Sequence, residues 1–324
     1  MLANPQMEQL DSESLKALQL ERLKKTLKWA YSKSSFYQNK FKQCGITPDC
    51  LQSLKNIEDF PFTSIKELQQ TSVMELLTLP FSGISRISMW EHPQRVIHMY
   101  TANDIAANIE MTSRVLIAAG LTRGSVVGLL GDMADSGLMD AQQALELFGA
   151  TAVPLSTDYD RTIKLMETAH VDTMIGSARR ILRLVIQMQA GEKEISDFPL
   201  RKMICLNETL QNPLKLHIEK RTGTEVYNLF SSAEFGCIGM VFQCEGHIGQ
   251  HLQQDYFYPE VVAFGSNEII TDVNRMGELV LTTLTAEAMP LVRCRTGQAV
   301  MQINEPCSCG RTSMRIITPM GSAG

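Results

Sequence analysis

Between residues 15 and 37 the apolar residues Leu15, Leu18, Leu23, Leu27, Ala30 and Tyr31 recur at helical spacing, with charged residues between them. A stripe of that period buries one face of an amphipathic helix. A short second helix fits before Gly45, so 1–100 is expected to be a helical N-terminal region. The rhythm changes at residue 101. In TANDIAANIEMTSRVLIAAG, Thr101 has the hydroxyl that caps a helix and Gly120 the freedom that ends one, and the apolar run SVVGLL follows at once. Strand candidates at 151–155 (TAVPL), 172–176 (DTMIG), 202–206 (KMICL) and 225–229 (EVYNL) alternate with helical stretches near 137–148, 158–170, 178–190 and 213–221. Such alternation predicts a mostly parallel sheet with helices on its faces over 101–245. Beyond Tyr256 the segments FYPEVVAF, NEIITD, GELVLTTL and MPLVRCR are short, β-branched and bounded by turns. They predict a smaller, mostly antiparallel β unit over 246–324. The fold class read from the pattern is α/β.

Composition adds bounds to this picture. The chain has 324 residues, 44% hydrophobic and 20% charged, enough for a large core in two domains or one elaborated domain. Net charge is -5 and no run of Lys and Arg forms a basic patch, which argues against nucleic acid or a membrane surface as partner. A small molecule, a protein partner or a homodimer remains. The opening MLANPQMEQLDSES lacks the basic and apolar order of a secretory signal, and no segment approaches the roughly 18 apolar residues of a membrane span, so a cytoplasmic protein is expected. Eight cysteines in a reducing compartment do not make a disulfide framework. Cys44, Cys50, Cys205, Cys237 and Cys294 are isolated in sequence and expected to be small buried hydrophobes.

The other three cysteines are grouped. CEGHIGQH places Cys244 and His251 seven apart around two glycines, and EPCSCGR places Cys307 and Cys309 one residue apart. Together they supply the four soft or borderline ligands of a closed tetrahedral zinc site. Gly246 and Gly249 would allow a tight turn within the first pair, and Pro306 and Gly310 bracket the second. His247 competes with His251 for the imidazole position, and two unrelated pairs of side chains is the alternative that spacing leaves open.

TGTEVYNLFSSAEFG resembles the phenylacetate-CoA ligase and coenzyme F390 synthetase branch of the adenylate-forming enzymes, and the likeness extends along nearly the whole chain. LKWAYSKSSFYQNKF, NIEDFPFTSIKEL and YTANDIAAN leading to AAGLTRG are similar to the opening of that branch. NLFSSAE stands at its Asn-x-Tyr-Gly-x-Thr/Ser-Glu type motif, QDYFYPEVV at its His/Asp-rich strand, and GELVLTTLTAEAMPLVRCRTG at its Gly-Glu-Leu-Val to Arg-Thr-x-Asp segment. The resemblance implies the large domain of an adenylate-forming enzyme, a mostly parallel sheet with flanking helices plus a smaller antiparallel unit. It also implies structural zinc, because the Cys-x4-Gly-x-His element with Cys-x-Cys-Gly-Arg-Thr is similar to a zinc-binding set of this branch; that zinc would fasten the β unit to the α/β domain. The implied chemistry is attack of an aryl or acyl carboxylate on the α-phosphate of ATP, with Mg²⁺, giving an acyl-adenylate and pyrophosphate, then capture by coenzyme A.

On the matching positions, the resemblance gives Glu234 to Mg²⁺ as the catalytic carboxylate. It places Asn207, Glu208, Asn228, Phe230, Ser231 and Gln298 around the nucleotide. Several departures stand beside these matches. Where the family has a Ser-Ser-Gly-Thr-Thr-Gly-Lys-Pro type phosphate loop, the chain reads SMWEHPQRVIHM, with no glycine between Ser88 and Tyr100. His92 and Arg95 are the residues left there that would meet an anion; a surface turn is expected. Ala233 replaces a hydroxyl before Glu234, Phe230 replaces a tyrosine near adenine, and Gln298 replaces the ribose aspartate. SMRIITPMGSAG ends where the family reads on through a hinge into a small mobile domain, with Ser322 and Gly324 at the expected Arg and Asp. The sequence thus predicts a divergent AMP-forming acid-thiol ligase with adenylation weak or lost. The alternatives are a non-catalytic binding or regulatory protein on the same fold, and a large subunit that takes its lid from a separate chain.

Overall fold

A computed structural model describes residues 1–90, 95–207, 213–273 and 275–318. Helices α1 (Pro5–Glu8), α2 (Ser12–Lys33), α3 (Ser35–Gln43), α4 (Ile65–Gln70) and α5 (Val73–Leu76) come first. A ribbon follows, β1 (Arg86–Trp90) and β2 (Val96–Tyr100), then α6 (Ala102–Ala118). The alternating stretch is β3 (Val126–Leu130), α7 (Ser136–Phe148), β4 (Thr151–Leu155), α8 (Tyr159–Ala169), β5 (Thr173–Ser177), α9 (Ala178–Ala190), β6 (Lys202–Asn207), α10 (Lys215–Thr222) and β7 (Glu225–Ser232). Strands β8 (Cys237–Phe242), β9 (Gln250–Leu252), β10 (Phe257–Val262), β11 (Gly277–Thr283), β12 (Cys294–Ile303) and β13 (Arg315–Ile317) complete the order. No described helix is long and apolar enough to cross a membrane.

The chain divides into two units. The first comprises Met1–Ala3, Asn108–Ser232 and Gly236–Ile248. Its strands run in the order β4-β3-β5-β6-β7 with every pairing parallel, and β8 pairs antiparallel to β7. The clearest apolar stripe is that of α9, whose Ile181, Leu184, Val185 and Met188 are fully buried with Met174 and Met203 of the strands; α10 buries Ile218 alone. Asp135 and Asp158 cap α7 and α8 through the backbone N–H of Gly137 and Arg161, which satisfies donors that the first helical turn leaves open.

The second unit comprises Asn4–Ala107, Ala233–Phe235 and Gly249–Gly324. Its sheet is antiparallel, in the order β10-β11-β12-β13-β9. The apolar stripe of α2 forms a core with α3, in which Leu23, Leu27, Tyr37, Phe41 and Phe60 are at most 1% exposed. The separate β1–β2 ribbon runs in register from Arg86↔Tyr100 to Trp90↔Val96.

Three expectations need correction. NEIITD is not a strand; it makes a single bridge, Val262↔Ile269. MPLVRCR becomes strand only from Cys294, because side chains take the earlier N–H groups: Leu291 donates to Thr283 Oγ1 at 3.0 Å, Val292 to the Tyr37 hydroxyl at 2.9 Å and Arg293 to Thr282 Oγ1 at 2.9 Å. Cys44 and Cys50 are exposed, while Cys205, Cys237 and Cys294 are buried. Cys44 caps the end of α3 and Cys50 closes a short 3-10 turn, positions that face solvent whatever the side chain.

Candidate functional site

Cys244, His251, Cys307 and Cys309 bring their ligand atoms within 4.8 Å of one another. His251 sits on β9 opposite Arg315 of β13, and the loop between β12 and β13 presents the two later cysteines. Its turn is closed by the Gly310 N–H donating to the Cys307 carbonyl at 3.0 Å. Gly249 admits the entry to β9: its φ is +70°, and a Cβ there would stand 2.5 Å from Ile303 Cδ1 and 3.1 Å from the Ile316 carbonyl. Cys309 Sγ lies 3.4 Å from His251 Nε2. Thiolate and imidazole ligands of one tetrahedral zinc are about 3.5–3.8 Å apart, given metal bonds of about 2.3 and 2.0 Å. The other ring nitrogen, Nδ1, is 3.0 Å from Ser313 Oγ. That contact orients the ring and leaves Nε2 for a metal, with a hydroxyl in the place that a carboxylate, carbonyl or water more often takes beside a ligating histidine. Cys244 and His251 are buried and the two later cysteines half-buried. Three sulfurs and one imidazole, closed on all four positions, suit zinc.

His247, the competing imidazole, lies elsewhere. Its ring is 4.7 Å from the ring of Tyr227 and its Nε2 is 3.7 Å from Glu225 Oε1. The chain turns there with φ +52°. Of the two imidazoles, only that of His251 is gathered with the three thiols.

The residues given to the nucleotide are carried by three pieces of backbone. Asn207 ends β6 and is the register partner of Phe230 on β7. The register between β7 and β8 shifts after Phe230, so that Ser231 pairs with Ile238. Gly239 occupies the extra length with φ +79°, and a Cβ there would be 2.8 Å from Val115 Cγ2. Bulges of this kind re-aim a strand end. Asn228 is buried; its N–H donates to Gln243 Oε1 at 3.0 Å and its carbonyl accepts from the Gln243 N–H at 3.2 Å. Phe230 is 2% exposed, so its ring offers no open face. Glu234 is half-buried in the turn between β7 and β8, after the buried Ala233. Its carboxylate acts on Cys294: burial pushes that thiol up, and Glu234 and Glu278 add to the same direction. A thiol so placed stays protonated and is no nucleophile.

Gln298 lies half-buried on β12 behind a left-handed Gly297, φ +70°. Its N–H donates to Thr296 Oγ1 at 3.2 Å, and the Gly297 N–H donates to Glu278 Oε1 at 3.0 Å. Arg295 Nη1 donates to the other oxygen of Glu278 at 2.7 Å. Glu208, His92, Ser322 and Gly324 lie outside the described residues. In the expected phosphate-loop region, the described part is the β1–β2 ribbon, which the sequence pattern did not announce. Its signal was present in the β-branched and aromatic residues Ile87, Trp90, Val96, Ile97 and Tyr100.

No family model matches the chain. The phenylacetate-coenzyme A ligase of Thermus thermophilus is 27% identical to it over 321 residues, covering 98% of this chain and 72% of the relative. The enzyme of the same name from Escherichia coli is 29% identical over 306 residues, covering 91% and 70%. Among solved structures, 2-hydroxyisobutyryl-CoA ligase in complex with 2-HIB-AMP and CoA superposes with a TM-score of 0.87 at 21% identity, over 96% of this chain and 75% of that one. A benzoate CoA ligase from Burkholderia xenovorans gives 0.52 at 13% identity, over 74% and 50%. The structural likeness is one of fold, an α/β architecture with a parallel sheet and an antiparallel part.

Proposed function

We propose that this chain, a phenylacetate-CoA ligase-like member of the adenylate-forming family, is a divergent relative of the AMP-forming aryl- or acyl-CoA ligases whose ATP-dependent activation of a carboxylate is weak or lost. The β1–β2 ribbon carries this reading. A phosphate cradle needs successive backbone N–H groups converging on the oxygens. In an antiparallel ribbon alternate N–H groups enter the ladder and the others point the opposite way, so those of 86–90 and 96–100 do not converge. No glycine occurs between Ser88 and Tyr100 to bend the chain otherwise.

In this reading Glu234 remains a ligand for Mg²⁺ and the chain at Asn207, Glu208, Asn228, Phe230, Ser231 and Gln298 keeps a weak hold on AMP or an acyl-adenylate, with coenzyme A as acceptor for whatever activity remains. Zinc is a structural metal at Cys244, His251, Cys307 and Cys309, since a closed shell offers substrate no position. The test is pyrophosphate release by the purified chain with ATP, Mg²⁺, coenzyme A and a panel of aryl and acyl acids. Trace release is expected. Robust acid-dependent release that Glu234→Ala abolishes would overturn the reading.

A non-catalytic binding or regulatory protein on the same fold is the second reading. The burial of Phe230 favours it, because a strand kept for nucleotide would offer that ring to adenine. Calorimetry separates the two: heat on adding AMP with Mg²⁺ supports the divergent ligase, and none supports the second.

A further inference from the structure

We propose that the metal-binding knuckle is also a latch for the N-terminus: metal on Cys307 and Cys309 fixes the adjoining surface at Gly310–Thr312, to which residues 4–10 are fastened, so that removing the metal releases them. The inference rests on the zinc reading and adds a conformational consequence to it.

The fastening is dense for so short a segment. Arg311 Nε donates to Glu8 Oε1 at 2.7 Å, with the two side chains 1% and 5% exposed. The Thr312 N–H donates to the Glu8 carbonyl at 3.1 Å, and its hydroxyl donates to the Leu10 carbonyl at 2.7 Å. Gln9 Nε2 donates to the Gly310 carbonyl at 3.1 Å. Glu8 Oε2 in turn accepts from the Asn4 N–H at 2.8 Å and holds the first turn of chain in place. About three hundred residues separate the partners in sequence, so none of this is local.

Neither side supports itself. The helix α1 has four residues, far below the length at which a helix is stable alone, and its one buried side chain is Glu8. A buried carboxylate needs its partner: breaking such a pair leaves a charge without compensation. On the other side, Asn304, Glu305, Pro306, Ser308 and Gly310 are all exposed. No apolar side chain anchors that loop. Two hydrogen bonds, from the Gly310 N–H to the Cys307 carbonyl and from Arg315 Nη2 to the Glu305 carbonyl, close it locally; ligand bonds at Cys307 and Cys309 would add the main hold on its shape, as in small domains where metal binding is folding energy. Arg311 lies two residues beyond Cys309, so a loop that loses its metal moves the guanidinium away from Glu8.

Hydrogen exchange followed by mass spectrometry on the full chain tests this, with zinc bound and after removal by a chelator. Peptides covering 1–11 are expected to exchange at least about tenfold faster without zinc, on the scale of local opening, while peptides of β3 and β5 keep their protection. Glu8→Gln, which touches no ligand, is expected to release the same peptides with one zinc per chain retained. Protection of 4–10 that survives zinc removal, or that persists in Glu8→Gln, overturns the latch. So does chelation that opens β3 and β5 as well, because the N-terminus is then no separable unit. Failure of the zinc reading itself is distinct: elemental analysis would find no stoichiometric metal, and the chelator would change nothing.

Discussion

Arg293 and Glu260 form a bidentate ion pair from which water is excluded, with Nε to Oε2 at 3.0 Å, Nη2 to Oε1 at 2.6 Å and both side chains 2% exposed. The remaining guanidinium nitrogen donates to the carbonyls of Glu58 at 3.0 Å and Phe60 at 2.6 Å, and the Phe62 ring covers the group at 3.8 Å. One side chain thereby ties the segment before α4 to β10 and the entry of β12. Arg293 holds φ +46° to do so, a conformation costly for a side-chain-bearing residue and kept only where its surroundings enforce it. Glu260→Ala leaves a buried charge unpaired and is expected to cost about 3–5 kcal/mol in urea unfolding. Replacing both partners, Glu260→Leu with Arg293→Met, is expected to recover only part of this, since the two carbonyls lose their donor. Full recovery would show that the pair and not the carbonyl bonds holds the segment.

His98 gives the fold a pH dependence. It is 5% exposed on β2, its ring is 4.7 Å from that of Tyr100, and among the described residues its Nδ1 has no hydrogen-bond partner. Burial lowers its pKa from 6.5 to about 4. The folded state therefore binds fewer protons than the unfolded chain between these values, and stability rises with pH there. The contribution is whole above about pH 6.5 and is lost as pH falls towards 4, on the order of 3 kcal/mol in all. His98→Phe keeps a ring against Tyr100 and removes the proton. The difference in unfolding free energy between the two proteins should slope across that window and be flat above it; a difference independent of pH would contradict the assignment.

The alternating region was legible because its signal is periodic and local. TAVPL is strand over Thr151–Leu155, as its place in the helix–strand alternation says, and the helix after Thr101 begins with that hydroxyl accepting from the Asp104 N–H at 3.0 Å. What escaped depends on distant partners. Met289–Arg293 has strand composition, but Tyr37, some 250 residues earlier, takes the Val292 N–H. The β1–β2 ribbon carries strand-forming residues, Ile87, Trp90, Val96, Ile97 and Tyr100, but no glycine turn between them to announce a hairpin. The metal set was visible as three cysteines and a histidine, with His251 picked out by resemblance, while the physical reason that excludes His247, its turn and its contact with Tyr227, is one no spacing reveals.

Cys309→Ser tests the scaffolding role of the metal. The variant loses one thiolate from a set within 4.8 Å, and the binding energy of a structural zinc is folding energy. Zinc content should fall below one per chain and unfolding free energy by on the order of 3 kcal/mol or more. Cys44→Ser, at an exposed position outside the set, should change neither. Equal zinc content in the two variants would show that Cys309 is not a ligand.

Gln298→Asp tests whether the nucleotide reading of β12 is right. The resemblance puts a carboxylate at this position, against the ribose hydroxyls, where it would accept two hydrogen bonds. An amide accepts through one oxygen without charge, and charge roughly doubles the strength of such bonds. The new carboxylate would lie close to Glu278, but Arg295 already neutralises that group at 2.7 Å, and the backbone at Gly297 is held at 3.0 Å by Glu278 whatever residue follows. AMP affinity is therefore expected to rise about tenfold, corresponding to about 1.4 kcal/mol, as read by calorimetry. Pyrophosphate release should not rise with it, because the substitution leaves the β1–β2 ribbon as it is and the ribose does not hold the leaving phosphates. An unchanged AMP affinity would mean that position 298 does not meet a ribose, and a large gain in release would mean that the ribbon is not what limits adenylation.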